Sequence, residues 1–218
     1  VKRNEAEAAR LFQEVLQRIR PAAEKGEPQS QFVLGRMYGT GKGVRKNPET
    51  AFALCQKAAD QGYAPAQAEL GTIYSMARDY GEAMAWYMKA ANQEYARAQL
   101  QVGLMYDQGW GRPKDSTQAA SWFRKAAMQG DAAAQFMLGM KYGQGQGVPQ
   151  SYSEAASWLR KAAEQGEDHA QFKLGTCYHH GKGVAKNYGE AISWYRKAAE
   201  QGNADGQFNL GLMYYRGQ

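Results

Sequence analysis

From Ser30 the chain reads SQFVLGRMYGTGKGVRKN, and the same order of polar, apolar and small positions returns at Ala98 (AQLQVGLMYDQGWGRPKD), Ala134 (AQFMLGMKYGQGQGVPQS) and Ala170 (AQFKLGTCYHHGKGVAKN). These segments align without gaps at a period of 36 residues. With the Ala or Ser start as position 0, positions 1, 4, 5 and 8 are near-constant: Gln, Leu or Val, Gly, Tyr. At about 100° per residue they fall between roughly 40° and 140° around a helix, a stripe suited to packing. Positions 3, 6 and 10 fall between about 240° and 300°, on the opposite stripe, and there the residues vary freely.

Each segment continues into a second predicted helix, such as YGEAISWYRKAAEQG ending at Gly202. Asn47, Asp79, Asp115, Ser151 and Asn187 hold its N-cap place, where a short polar side chain satisfies orphan N–H groups. Gly62, Gly130, Gly166 and Gly202 end it, as a left-handed terminal residue requires. In the second unit Glu94 takes that place and is expected to be strained. Gly35, Gly71, Gly103, Gly139 and Gly175 recur inside first helices, where glycine is locally unfavourable, so close helix approach is expected. Ala51, Ala83, Ala119, Ala155 and Ala191 recur likewise in second helices, and Trp86, Trp122, Trp158 and Trp194 are expected in the core.

Two-helix units that bury their apolar faces only against neighbours predict an all-α fold, a right-handed α/α superhelical solenoid of helix-turn-helix repeats. Five units span 30–65, 66–97, 98–133, 134–169 and 170–205. The second is four residues short, because SMARDY replaces the glycine-rich connection. Residues 1–29 read as a half-repeat or capping helix and 206–218 as the first helix of a sixth unit, giving one continuous domain. Both ends cut through a unit, so further repeats or separate caps are expected.

The consensus AQFxLGxMYxxGxGVxxNxxEAxxWYRKAAEQG closely resembles the Sel-1-like repeat family, relatives of tetratricopeptide repeats, over nearly the whole chain. The resemblance implies a superhelical scaffold for protein interaction, with no shared catalytic signature. It extends to endoplasmic-reticulum quality-control adaptors, secreted bacterial host-interaction proteins and immunity proteins against toxic lipase effectors of secretion systems. A cysteine-rich branch associated with β-lactam binding staples its helix pairs with disulfides. This chain departs from that branch, since its two cysteines, Cys55 and Cys177, lie in distant units.

Chemistry is sparse. The chain is 44% apolar and 22% charged, with a net charge of +6, which mildly favours anionic partners. No apolar run approaches the ~20 residues needed to span a bilayer. There is no Ser-x-x-Lys, His-Glu-x-x-His, Gly-x-Ser-x-Gly or phosphate loop, so no enzyme and no cofactor are expected. YGQGQGV at 142–148 imitates a nucleotide-binding cluster, but no strand precedes it, and its glycines read as turn residues. Cys177, His179, His180 and His169 match no zinc spacing, so no metal is expected. The Arg-Lys pairs at 124–125, 160–161 and 196–197 sit near second-helix ends, where cations complement the helix dipole, and argue against nucleic-acid binding.

A partner protein is therefore expected on the variable stripe of the first helices, the concave wall in such solenoids. Its residues are Val33 and Arg36, Glu69 and Thr72, Gln101, Leu104 and Gln108, Met137, Met140 and Gln144, then Lys173, Thr176 and His180. Leu104, Met137 and Met140 are expected to be exposed at its centre, because adaptable Met suits binding surfaces. In YDQGWGRPKD (106–115) the apolar residue has moved two places upstream relative to Val44, Val148 and Val184. Trp110 is then either a substitute plug for that valine or a contact at the rim of the partner site, with Arg112 left exposed. Immunity to a secreted toxin is one concrete role and a general periplasmic or host-interaction adaptor another, with a cell-wall-directed or β-lactam-related enzyme less favoured. A monomeric, periplasmic or secreted bacterial protein is expected, its leader removed.

Overall fold

The computed structural model describes residues 4–217, so the outermost residues of the two partial units, 1–3 and 218, lie outside the described residues. Those described form helices joined by turns: α1 (Glu5–Glu24), α2 (Pro28–Thr40), α3 (Pro48–Asp60), α4 (Ala64–Met76), α5 (Tyr80–Ala91), α6 (Ala96–Gln108), α7 (Ser116–Met128), α8 (Ala132–Gln144), α9 (Tyr152–Glu164), α10 (Asp168–His180), α11 (Tyr188–Glu200) and α12 (Ala204–Tyr215). Consecutive helices pair as repeats, the all-α solenoid architecture expected. Two compact bodies divide between Ala98 and Gln99, within α6.

The caps form where short polar residues stand. Asn47 accepts a hydrogen bond from the Thr50 N–H, Asp79 from Glu82, Ser151 from Glu154 and Asn187 from Glu190, while Asp115 accepts from both Thr117 and Gln118. Each satisfies a first-turn amide that the helix leaves without a partner. The cap also closes the unit, because its own N–H donates to the carbonyl of the position-8 tyrosine, Asn47 to Tyr38 and Ser151 to Tyr142, both at 2.9 Å. The short second unit keeps this bond, Asp79 to Tyr74 at 2.9 Å, across residues 77–79 alone. It does so with Arg78 in the left-handed region at φ 62°, and Glu94 closes the following turn at φ 61°.

Helix pairs meet at the recurring glycines. A Cβ on Gly71 would lie 2.6 Å from the Tyr87 ring, one on Gly103 2.6 Å from Phe123, and one on Gly139 2.9 Å from Leu159. The first helix therefore rests directly on the large residue beside the tryptophan position, which alanine would displace. Around these crossings Leu70 and Trp86 pack with Phe32 in the first body, and Leu174 and Trp194 with Leu159 in the second. Trp86, Trp122 and Trp194 are buried, as expected of core residues. Trp158 departs from that expectation: it is half-buried and lines a surface groove of about 480 Å³ beside Met128 and Tyr142.

Candidate partner-binding surface

A binding surface must be made of residues that the scaffold does not consume, so the constant positions come first. The position-1 glutamines Gln31, Gln67, Gln135 and Gln171 are buried and bridge three helices. Gln135 donates from Nε2 to the Ala127 carbonyl at 3.1 Å, while its Oε1 accepts from Gln165 Nε2 at 2.8 Å. Gln31, Gln67 and Gln171 repeat both bonds with Ala23 and Gln61, Ala59 and Gln93, and Ala163 and Gln201. Each glutamine thus satisfies a helix-end carbonyl of the preceding pair and is held by the last turn of its own, so no amide is buried unpaired.

The Arg-Lys pairs are consumed too. Arg124, Arg160 and Arg196 donate to the hydroxyls of Tyr142, Tyr178 and Tyr214 on the next first helix, at 2.6, 2.5 and 2.6 Å. The lysines lie over the tryptophan rings one turn earlier: Lys89 3.6 Å above Trp86, Lys125 3.9 Å above Trp122, Lys161 4.1 Å above Trp158 and Lys197 4.0 Å above Trp194. A cation over the indole face is held by the ring quadrupole. The arginines thus staple one unit to the next, while the lysines cover the indoles of their own helices, the structural role their regularity suggested.

One bond is private to a single junction. Lys141, at position 7, reaches Asp107, at position 9 of the preceding unit, at 2.5 Å, and also meets Gln146 at 3.0 Å. The other units carry no acid where Asp107 stands: Gly39, Ser75 and Gly143 take that position, and His179 takes it near the C-terminus, against Met213 at 3.0 Å.

The proposed stripe is uneven. Arg36, Gln108, Gln144 and His180 are exposed; Val33, Glu69, Gln101 and Lys173 are half-buried. Leu104, Met137 and Met140 are half-buried rather than exposed. Thr72 and Thr176 are drawn into the scaffold. Each donates to a carbonyl one turn back, Ala68 and Phe172, and each accepts from a second-helix tyrosine, Tyr87 at 3.0 Å and Tyr195 at 3.4 Å. In the first body the stripe does converge: Arg36, Thr40, Glu69 and Met76 line one groove of about 620 Å³. Phe52 and Pro48, on the second helix, complete it, and no sequence pattern had marked them.

Trp110 keeps 42% of its surface exposed, so it does not fill the valine's place as a buried plug, while Arg112 is exposed as expected. The histidine and cysteine readings resolve into local contacts. The rings of His179 and His180 meet edge to face at 4.6 Å, and Cys55 and Cys177 are free thiols. Burial pushes the Cys55 thiol up to about 12, and Cys177 shifts in the same direction for the same reason. Glu167, Asp168 and His169 cluster at the start of α10, where Glu167 caps the Ala170 N–H and Asp168 accepts from Asn203 at 2.8 Å.

The Sel1 repeat model matches residues 28–63, 64–95, 96–131, 132–167, 168–203 and 204–218. The chain belongs to the Sel1 repeat family. These Sel1 units begin two residues before the helical starts used above and include the C-terminal segment as a sixth. Sel1 repeats form a protein-interaction scaffold fold. Among solved structures, the chain is similar to a Sel1 repeat protein from Oxalobacter formigenes, at 33% identity and a TM-score of 0.87, over 98% of this chain and 87% of that one. It is also similar to a protective antigen of uropathogenic Escherichia coli with the same fold, at 39% identity and a TM-score of 0.85, over 92% of this chain. It spans only 44% of that antigen's length. An immunity protein of Pseudomonas aeruginosa matches at 26% identity and a TM-score of 0.51, over 73% of this chain and 60% of that one. No curated protein sequence matches the chain. Among the described residues no helix of this Sel1 protein is long and apolar enough to cross a membrane.

Proposed function

We propose that this chain is a non-enzymatic scaffold that binds a partner protein through the variable stripe of its first helices. The observation that carries this reading is the division of labour among repeat positions. The constant Gln, Gly, Tyr, Arg and Lys positions are spent on bonds within and between units, whereas Arg36, Gln108, Gln144 and His180 stand exposed on the stripe that the repeat leaves free. Trp110 and Arg112 add an exposed aromatic and an exposed cation at one connection. Neither a cofactor nor nucleic acid enters the proposal. The protein acts as a monomer in the periplasm or outside the cell.

Within this reading the partner is a secreted bacterial toxin that the scaffold neutralises by stoichiometric binding. Support comes from the resemblance to a Pseudomonas immunity protein. The test is titration calorimetry against the toxic effector encoded beside the gene, with toxin activity followed in parallel. A tight one-to-one complex that abolishes toxicity is expected. Weak binding to several unrelated proteins would instead identify an adaptor. Replacing Met137 and Met140 by Ala should weaken the complex, and unchanged affinity would remove the second body's stripe from the contact.

A further inference from the structure

Seven residues join the two helices of most units, and those loops fold back on the preceding pair. A Cβ on Gly147 would lie 1.9 Å from the carbonyl oxygen of Ser116, the first residue of α7. One on Gly183 would lie equally near the carbonyl oxygen of Tyr152, the first residue of α9. Each loop glycine thus lies backbone on backbone over the start of the preceding second helix, an approach no side chain permits.

The corresponding residue of α3 is Pro48, and the connection that would cover it is the one between α4 and α5. That connection has only residues 77–79. Where a loop would lie, there is the open groove of about 620 Å³ between α2, α3 and α4, with Pro48 in its wall. Its apolar side is Phe52, Ile73 and Met76, of which Phe52 is 37% and Met76 81% exposed. Arg36 and Lys46 stand at its edge without an ion-pair partner among the described residues, and Glu69 stands on the α4 wall.

We propose that this notch, opened by the four-residue deletion, takes an extended segment of the partner protein carrying one large apolar side chain next to one carboxylate. The apolar side chain lies among Phe52, Ile73 and Met76, and the carboxylate pairs with Arg36 and Lys46. Peptide main chain occupies the equivalent space over α7 and α9, so the vacancy is of a size and polarity that a peptide fills. The two unpaired cations supply complementary charge for one acid, and Glu69 discriminates against a run of acids by like-charge repulsion. The inference rests on the protein-binding reading above and assigns one of its contacts.

The probe is a phage-displayed random dodecapeptide library, panned on the full chain and counter-selected on a variant in which Gly-Lys-Gly-Val-Ala-Lys-Asn, the connection at 181–187, replaces residues 77–79. Surviving peptides should carry a large apolar residue within two positions of Asp or Glu. A fluorescent peptide of that consensus should bind the native chain and lose about tenfold in affinity to Arg36→Glu, to Phe52→Ser and to the loop-restored chain. The helical circular dichroism of these variants should be unchanged. Should the loop graft fail to fold, the two point variants decide. No enrichment over the counter-selection, a basic consensus, or full binding by the point variants overturns the proposal. Peptide binding lost on Met137→Ala and Met140→Ala but kept on Phe52→Ser overturns the notch while leaving the scaffold reading intact.

Discussion

Lys141 Nζ lies 2.5 Å from Asp107 Oδ1, with side-chain exposures of 5% and 10%, making a buried ion pair between consecutive repeats. Charges so placed are stable only together, because each alone would be desolvated without compensation. Lys141→Met is expected to cost about 3–5 kcal/mol by leaving Asp107 buried and unpaired. Adding Asp107→Ala should recover most of that loss. Urea denaturation of the two single variants and the double variant checks it, and additive losses would mean that the pair is not coupled.

The buried glutamines predict a graded response. Gln135→Leu removes the donor to Ala127 and the acceptor for Gln165, so it is expected to cost about 1–3 kcal/mol. Gln165→Ala removes only the exposed partner and should cost less. Amide exchange at the start of α8 should quicken in the first variant, and equal midpoints for both would contradict the three-helix bridge.

Glu94 and Arg78 hold left-handed backbones that the other turns give to glycine. Glu94→Gly relieves about 1 kcal/mol of steric cost, which the greater freedom of glycine in the unfolded chain partly offsets. A small rise in thermal midpoint is expected, and Arg78→Gly should behave alike. A fall in both variants would show that their side chains contribute more than the strain costs.

Acid should weaken the protein in two separate windows. Burial holds the His179 imidazole below its ordinary 6.5, and the neighbouring charge of His180 adds to the shift. The unfolded chain then binds the proton more readily, so this contribution is complete above about 6.5 and falls away as the pH drops through the lowered value. Asp168 is held below its ordinary 3.8 chiefly by the hydrogen bond from Asn203, so its contribution is present above that value and is lost as the pH falls further. His179→Gln should flatten only the upper window and Asn203→Ala only the lower, as read from midpoints between pH 7 and 3. A single unchanged transition in both variants would remove these two groups from the acid response.

How far the residues announced this arrangement depended on the range of each interaction. The caps at Asn47, Asp79, Asp115, Ser151 and Asn187 act within one turn, so their residue types sufficed. Constancy showed that Gln135 mattered, but not that it reaches Ala127 and Gln165, because those partners lie on two other helices. The exposed stripe was placed by angle alone, which cannot see the tyrosine hydroxyls that engage Thr72 and Thr176. The valines of other units indicate where Trp110 lies in its loop, but only packing decides that its ring stays partly in solvent.

By itself the sequence determined the period, the helix ends and the all-α repeat fold, because capping, turn chemistry and amphipathic spacing are local and recur in every unit. It also displayed the missing four residues of the second unit without revealing their effect. Only the tertiary structure decided that effect, since a loop's absence becomes a groove only once its neighbours are seen to seat their glycines on the helix before them. Tertiary structure likewise decided which constant residues are bonded between units and which variable ones remain exposed, because those contacts join atoms that the chain keeps many residues apart.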